Sequence, residues 1–449
     1  VDRLTAPLRR FLHLESSTGL VLLFCTAVAL ALANSPWAEA VAGFWATPLS
    51  INIGPINETY PLWYWINDAL MALFFFVIGI EIKRELVSGE LSDRRAIVLP
   101  LFAALGGAAF PALIFLAING TGEGARAWAV PTATDIAFVV GCLALLGPRV
   151  PASLKIFLLS LAIFDDLLAV IVIAAFYSGS IGLAWLFAAI GSLVLCFILQ
   201  RAGVRSLGVY TLVGCATWFF TLESGIHPTI AGVALGLMTP ARRWLGVDSL
   251  RRSAVAVRTA IDSGSREEQR EALTTLRFVA QENVSHAERI EAALHPYVAF
   301  LVMPLFALAN AGVPVSFDVM GDTLAVAIAV ALIAGKISGI TIGSWLAVRS
   351  GLGVLPRGMN WPVVVAASAL AGIGFTMSMF ICSLALEGEL LTTAKTGVLV
   401  GSLVCGLLGY FGLRMALPAP GEAQAVGAGE GSGTQPPQPA PQEEPSLAH

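Results

Sequence analysis

Charged residues make up only 12% of the 449-residue chain, about half the share of an ordinary soluble domain. A water-soluble globule is thereby excluded, and no nucleic-acid partner is expected. Cysteine is sparse as well: Cys25, Cys142, Cys196, Cys215, Cys382 and Cys405 all lie inside apolar runs without CxxC spacing. They read as packing residues rather than redox or metal ligands. No GxxxxGK[ST] phosphate loop occurs, so ATP hydrolysis is not the energy source. No cleaved signal peptide is expected either, because the first apolar run is long and begins near residue 16.

What the chain has in abundance is apolar sequence, at 57% of residues. Twelve stretches approach membrane-spanning length, at 16–34, 62–82, 96–118, 127–146, 155–178, 181–200, 205–222, 225–240, 294–313, 323–347, 361–385 and 392–414. The expected fold is an all-α polytopic membrane protein with twelve transmembrane helices. Lys and Arg resist translocation and so mark cytoplasmic loops. They alternate here: Arg3, Arg9 and Arg10 precede the first segment, none lies between Asn34 and Leu62, and Lys83, Arg84, Arg94 and Arg95 follow the second. Arg149 and Lys155, Arg201 and Arg205, the loop from Arg242 to Arg289, and Arg349 and Arg357 continue the pattern. Only Arg126 and Lys395 fall in expected outside loops, and both termini come out cytoplasmic.

Three stretches stand apart from the spans. LSINIGPINETY, within 48–61, alternates apolar and polar residues around Gly54 and Pro55 and reads as a short extracytoplasmic β-hairpin. The polar loop 245–291 contains EEQREALTTLRFVAQ, which fits a surface helix, although a solvated loop is the plainer reading. The transmembrane domain thus occupies 1–417, and the Pro/Gly-rich tail 418–449 is too polar to fold.

Four charges sit in mid-segment: Asp135 in VPTATDIAFVVG, Asp165 and Asp166 in LAIFDDLLAV, and Lys336 in VALIAGKISGI. Asp68, in WINDALMALFF, lies toward the outer end of the second segment. A carboxylate at the centre of a spanning helix costs about 2.5 to 3.5 kcal/mol to insert, so four such charges point to an ion or proton pathway rather than to structural ion pairs. Adjacent helical residues diverge by about 100°, so Asp165 and Asp166 cannot face one partner. One can pair with Lys336, and the other can face water and offer oxygens to a small hard cation. Pro131, Thr132, Thr134 and Asp135 break the fourth segment, and Gly372, Gly374, Thr376 and Ser378 break the eleventh. Half-helix ends carry partial charges, so Asp135 would neutralise two facing N-termini and Lys336 two facing C-termini.

The motifs NDALMALFFFVIGIEIKREL, PTATDIAFVVGCLALLG, LAIFDDLLA, ESGIHPTIAGV, HPYVAFLVMPLFALANAGV, GKISGI and GIGFTMSMFI resemble NhaA-type sodium/proton antiporters, in matches that run in order from about residue 11 to 414. The resemblance implies inverted repeats with two broken helices, 4 and 11, that cross, a known trait of that family rather than an independent reading. It implies electrogenic exchange of Na+ or Li+ for protons by alternating access, serving pH and sodium homeostasis, in the bacterial inner membrane. By this resemblance Asp166 is the main cation ligand, Asp165 its proton-linked neighbour paired with Lys336, and Thr134 a further ligand oxygen. Glu81, Arg84, Glu85 and Glu291 resemble a pH-response cluster, His227 and His295 match family positions, and Asp68 matches with a less defined role. The hairpin resembles a homodimer contact. No resident cofactor is implied; the partners are Na+, Li+, H+, membrane lipid and a second copy.

Plainer readings stand beside these. Glu81 and Glu85 form an i,i+4 edge of a helix end, His227 before Pro228 a turn, and His295-Pro296 a helix start. The chain departs from the family at Leu168, where Gly is usual, and in its long loop after the eighth segment, which would alter pH dependence. A sodium-coupled organic-anion symporter of related fold is the rival transporter. An intramembrane aspartyl protease needs facing aspartates on different helices, which the adjacent pair does not supply. A channel would repeat its charges around a symmetric pore.

Overall fold

The computed structural model describes residues 15–418 except 54–55, 90–93, 205, 242–246, 264, 283–284, 315–320 and 357. The expected disordered tail past 418, the hairpin tip at Gly54 and Pro55, and Arg3, Arg9, Arg10, Arg205, Arg242 and Arg357 lie outside the described residues. The chain is an all-α bundle with one two-stranded sheet. Helices α1 (Glu15–Ala33) and α2 (Ala38–Trp45) are followed by the antiparallel strands β1 (Pro48–Ile53) and β2 (Ile56–Pro61). In their register Ser50 faces Thr59, and the two hydroxyls are 2.9 Å apart.

Then come α3 (Leu62–Val87), α4 (Arg94–Asn119), a 3-10 helix (Glu123–Thr132) leading to α5 (Ile136–Leu146), α6 (Ala152–Phe176), α7 (Leu183–Arg201), α8 (Leu207–Glu223) and α9 (Thr229–Met238). A paired excursion, α10 (Val247–Ser263) and α11 (Arg266–Glu282), precedes α12 (His286–Asn310), α13 (Thr323–Arg349), α14 (Trp361–Leu370), α15 (Phe375–Ala385) and α16 (Gly388–Ala416).

Among the described residues eight helices are long and apolar enough to cross a membrane, ten if each of two bent pairs is one span. The windows 205–222 and 225–240 hold α8 and α9, of 17 and 10 residues, short of the roughly 20 that a full crossing takes. Loop 245–291 is largely helical rather than irregular. Lys395, expected outside the twelfth segment, lies within α16. The ninth segment begins earlier than its apolar run, at His286, because Ser285 and Glu288 close a capping box there. Pro296 therefore sits inside a helix instead of starting one, and a π turn at Val298–Val302 follows it. Two more π turns occur, at Ile66–Leu70 in α3 and Ala331–Gly335 in α13.

Small residues decide how closely the helices approach. A Cβ on Gly339 of α13 would collide with the Gly106 carbonyl oxygen of α4, and one on Gly343 with that of Phe102. Gly232 and Gly236 of α9 meet the Ala72 and Phe76 carbonyls of α3 in the same way. Both pairs have four-residue spacing, which places them on one helix face and lets backbones touch where hydrocarbon offers no hydrophobic drive. These seams fix the two elements that carry Lys336 and Glu81.

Candidate functional site

Two interrupted segments meet at the centre of the bundle. After the 3-10 helix ends at Thr132, Ala133 is extended and Asp135 becomes the N-cap of α5. Pro131 has no N–H to donate, which favours a stop at this point. The other interruption lies between α14 and α15, whose axes differ by 48°. The breaks touch: the Asp135 N–H donates to the Ile373 carbonyl at 2.7 Å, and the Ser378 hydroxyl to that of Val130 at 2.7 Å.

Asp135 is fully enclosed and caps both helices that start here. Its Oδ1 accepts from the Phe138 N–H of α5 at 3.2 Å, and its Oδ2 from the Thr376 N–H of α15 at 3.0 Å and from the Thr376 hydroxyl. Orphan N–H groups and the positive helix end both favour an anion at this point.

Asp165 and Asp166 project from α6 with 2% and 1% of their surface exposed. Their divergence is realised, but the expectation that the second faces water is not, because Asp166 is enclosed. Asp165 Oδ2 accepts from Lys336 Nζ at 2.7 Å and from the Thr134 hydroxyl at 2.6 Å, while Lys336 also donates to Thr134 at 2.9 Å. Lys336, at the π-turn exit in α13, is wholly buried. Thr134 Oγ1 lies 2.7 Å from the Ala371 carbonyl as well, at the end of α14. One hydroxyl hydrogen cannot serve both Asp165 and Ala371. Oδ1 of Asp165 and Oδ1 of Asp166 are enclosed with no hydrogen-bond partner among the described residues. Such oxygens are costly unless a proton or a cation neutralises them.

Asp68 stands in the π turn of α3, with Oδ1 3.7 Å from Nε2 of His227. The other nitrogen of that imidazole is 2.8 Å from the Thr229 hydroxyl, so His227 stands between Asp68 and the start of α9 as well as ending a turn. Beside them, Asn67 and Asn310 exchange side-chain hydrogen bonds of 3.4 and 2.7 Å, and Lys395 donates to Asn310 at 3.3 Å. Toward the C-terminal end of α3, Arg84 binds Glu291 at 2.6 Å and Glu85 at 3.1 Å, with Glu81 one turn earlier. His295 lies on the same helix as Glu291 and is exposed. Leu168 is half-buried against the core.

The structure thus gathers Asp135, Thr134, Asp165, Asp166 and Lys336, and keeps the Asp68–His227 pair and the Arg84 cluster in separate places. Sequence reasoning missed Thr376 as a partner of Asp135, missed Asn67 and Asn310, and placed Lys395 in an outside loop rather than beside them. The available signal was a polar side chain inside an apolar run, as in LFALANAGV.

A membrane bundle with touching helix breaks and enclosed, partly unpartnered carboxylates defines a secondary active ion transporter. A family model described as Na+/H+ antiporter 1 matches residues 9–413. The chain belongs to that family, which makes it a sodium/proton antiporter of the bacterial inner membrane and not an enzyme. It is 46% identical over 423 residues to the Na(+)/H(+) antiporter NhaA of Rhodopirellula baltica, covering 94% of this chain and 96% of that one. It is also 46% identical over 424 residues to NhaA of Rhizobium meliloti (92% and 95% covered) and 44% over 427 residues to NhaA 2 of Acidiphilium cryptum (93% and 94%).

Proposed function

We propose that exchange of Na+ or Li+ for protons runs through one site at which Asp166 is the principal cation ligand, Asp165 its proton-linked neighbour and Thr134 an additional oxygen. The observation that carries this reading is the pair of enclosed, unpartnered carboxylate oxygens beside a lysine-bound one. A cation and protons compete for the same oxygens, so occupancy by one expels the other. That competition is the coupling, and alternating access to the two sides of the membrane makes it transport. No three His, Cys, Asp or Glu side chains cluster among the described residues, so hydroxyl and main-chain oxygens complete the cation's coordination.

Asp135 offsets the positive ends of α5 and α15, and Lys336 the negative ends of the opposing half-helices, which it reaches through the Thr134 hydroxyl. In topology, the 3-10 helix with α5 is the fourth of twelve spans and α14 with α15 the eleventh, crossing at their breaks and related by inverted repeat. The helices α8 and α9 supply the two spans that length alone does not count. Both termini are cytoplasmic, as the Lys and Arg distribution requires. The strands β1 and β2 leave open edges that suit pairing with a second copy.

In everted vesicles holding an acid interior, adding Na+ or Li+ is expected to collapse the pH gradient, and K+ is not. A gradient that survives Na+ overturns the reading, and one collapsed only with an organic anion present points to the symporter.

We also read Glu81, Arg84, Glu85 and Glu291, with His295 nearby and His227 deeper, as the pH-responsive groups. Glu85 and Glu291 bind a single guanidinium and Glu81 interacts with all three groups electrostatically, so protonating any of the glutamates changes a shared balance of charge. Changing all three to Gln is expected to displace the activity-versus-pH curve by about one unit. A fall in maximal rate with the curve unmoved would remove the sensing role.

A further inference from the structure

The excursion of α10 and α11 has no part in the ion site. It leaves and returns at one place: Ala241, Ile80 and Ala287 pack together, and the Ala287 N–H donates to the Pro240 carbonyl at 3.2 Å. It is therefore tethered where α3, α9 and α12 leave the membrane, with arms of 17 residues each, about 25 Å long.

The two arms pack principally on each other, as an antiparallel pair, through a seam of Leu250, Ser253, Val257 and Ala260 of α10 and Ala272, Leu276 and Val279 of α11, all buried or half-buried. Advancing about 100° per residue, Arg251 and Arg258 share one line of α10, and Arg266, Arg270 and Arg277 share one line of α11. Each line lies about 120 to 130° from its helix's packed side, in the same rotational sense. Because the arms are antiparallel, equal rotations bring both lines to the same face of the pair. Five exposed arginines therefore lie together, flanked by Ile261 and Leu273, which are 61% and 55% exposed. Glu268 and Glu271 turn to the opposite face together with Arg252, and Asp262 and Glu267 to the outer edges. The pair is close to neutral as a whole and strongly polarised across its thickness.

We propose that this face is a docking surface for the anionic phospholipid headgroups of the bilayer in which the protein sits. The arginines supply phosphate-binding guanidinium groups, and Ile261 and Leu273 the apolar contacts that sink to the headgroup boundary, the division of labour of an interfacial amphipathic helix. The tether keeps that surface within reach at all times. The acidic opposite face then looks away from the membrane.

Hydrogen exchange of the full chain in nanodiscs tests this. Backbone amides in 247–282 are expected to exchange at least about tenfold more slowly in discs with about one-third phosphatidylglycerol than in pure phosphatidylcholine, with protection lost in about 0.5 M potassium chloride. In the triple variant Arg266→Gln, Arg270→Gln, Arg277→Gln the lipid dependence should disappear while amides in the spans keep their protection. Equal exchange in the two lipids, whether from a free pair or one docked on the protein itself, would overturn the proposal. So would a lipid effect that survives the triple variant.

Discussion

Asp166→Asn is expected to abolish sodium-driven proton release while the protein still inserts and folds. The substitution keeps the size of a side chain that is 1% exposed and removes only its charge and its titratable proton. Losing a charged ligand in a water-poor site costs several kcal/mol of cation binding, so exchange in proteoliposomes should fall by at least about 100-fold. Stability should move the other way or stay put. Oδ1 of Asp166 has no hydrogen-bond partner among the described residues, and replacing an uncompensated carboxylate by an amide relieves a desolvation penalty. Thermal unfolding in detergent would then show an unchanged or higher midpoint for the inactive variant. Near-normal exchange would remove Asp166 from the site.

The second large effect concerns Lys336, whose Nζ is 2.7 Å from Asp165 with both side chains fully enclosed. Lys336→Ala strands Asp165 as a buried, unpaired carboxylate and should cost about 3 to 5 kcal/mol. Adding Asp165→Asn to that variant should recover much of the loss, because the orphaned charge goes with it. Lys336→Arg asks a different question. Arg keeps the charge on a longer group. With a pKa above about 12, however, Arg releases no proton at working pH. If the lysine acts electrostatically, Lys336→Arg retains electrogenic exchange with the same membrane potential generated per cation moved. A changed ratio would make Lys336 a proton carrier.

The charged centre was legible in the sequence because Asp135, Asp165, Asp166 and Lys336 interrupt runs that otherwise suit hydrocarbon. Both helix breaks were legible for a similar reason, as Pro131 and the glycines near 372 cannot continue a ladder or fill a core. The Asn67–Asn310–Lys395 cluster was not: an amide costs little alone, and its partner lies 243 residues away. The π turns left no signature either, since a widened turn answers to its neighbours and not to its own residues. In loop 245–291 the polar composition masked two amphipathic helices that pack principally on each other.

The glycine seam between α4 and α13 has a mechanical consequence. Backbone rests on backbone there without side chains to deform, so the two rods behave as one stiff beam, and Lys336 is bolted to it at the first residue past a π turn. The compliant joints lie elsewhere, at 133–135, where the helical ladder is interrupted, and at 371–374, where it tightens to three-residue bonds before it stops, with side chains of Asp135 and Ser378 bridging the breaks. We therefore expect the ammonium group to be the fixed post of any movement in this bundle, with the interrupted segments swinging about it.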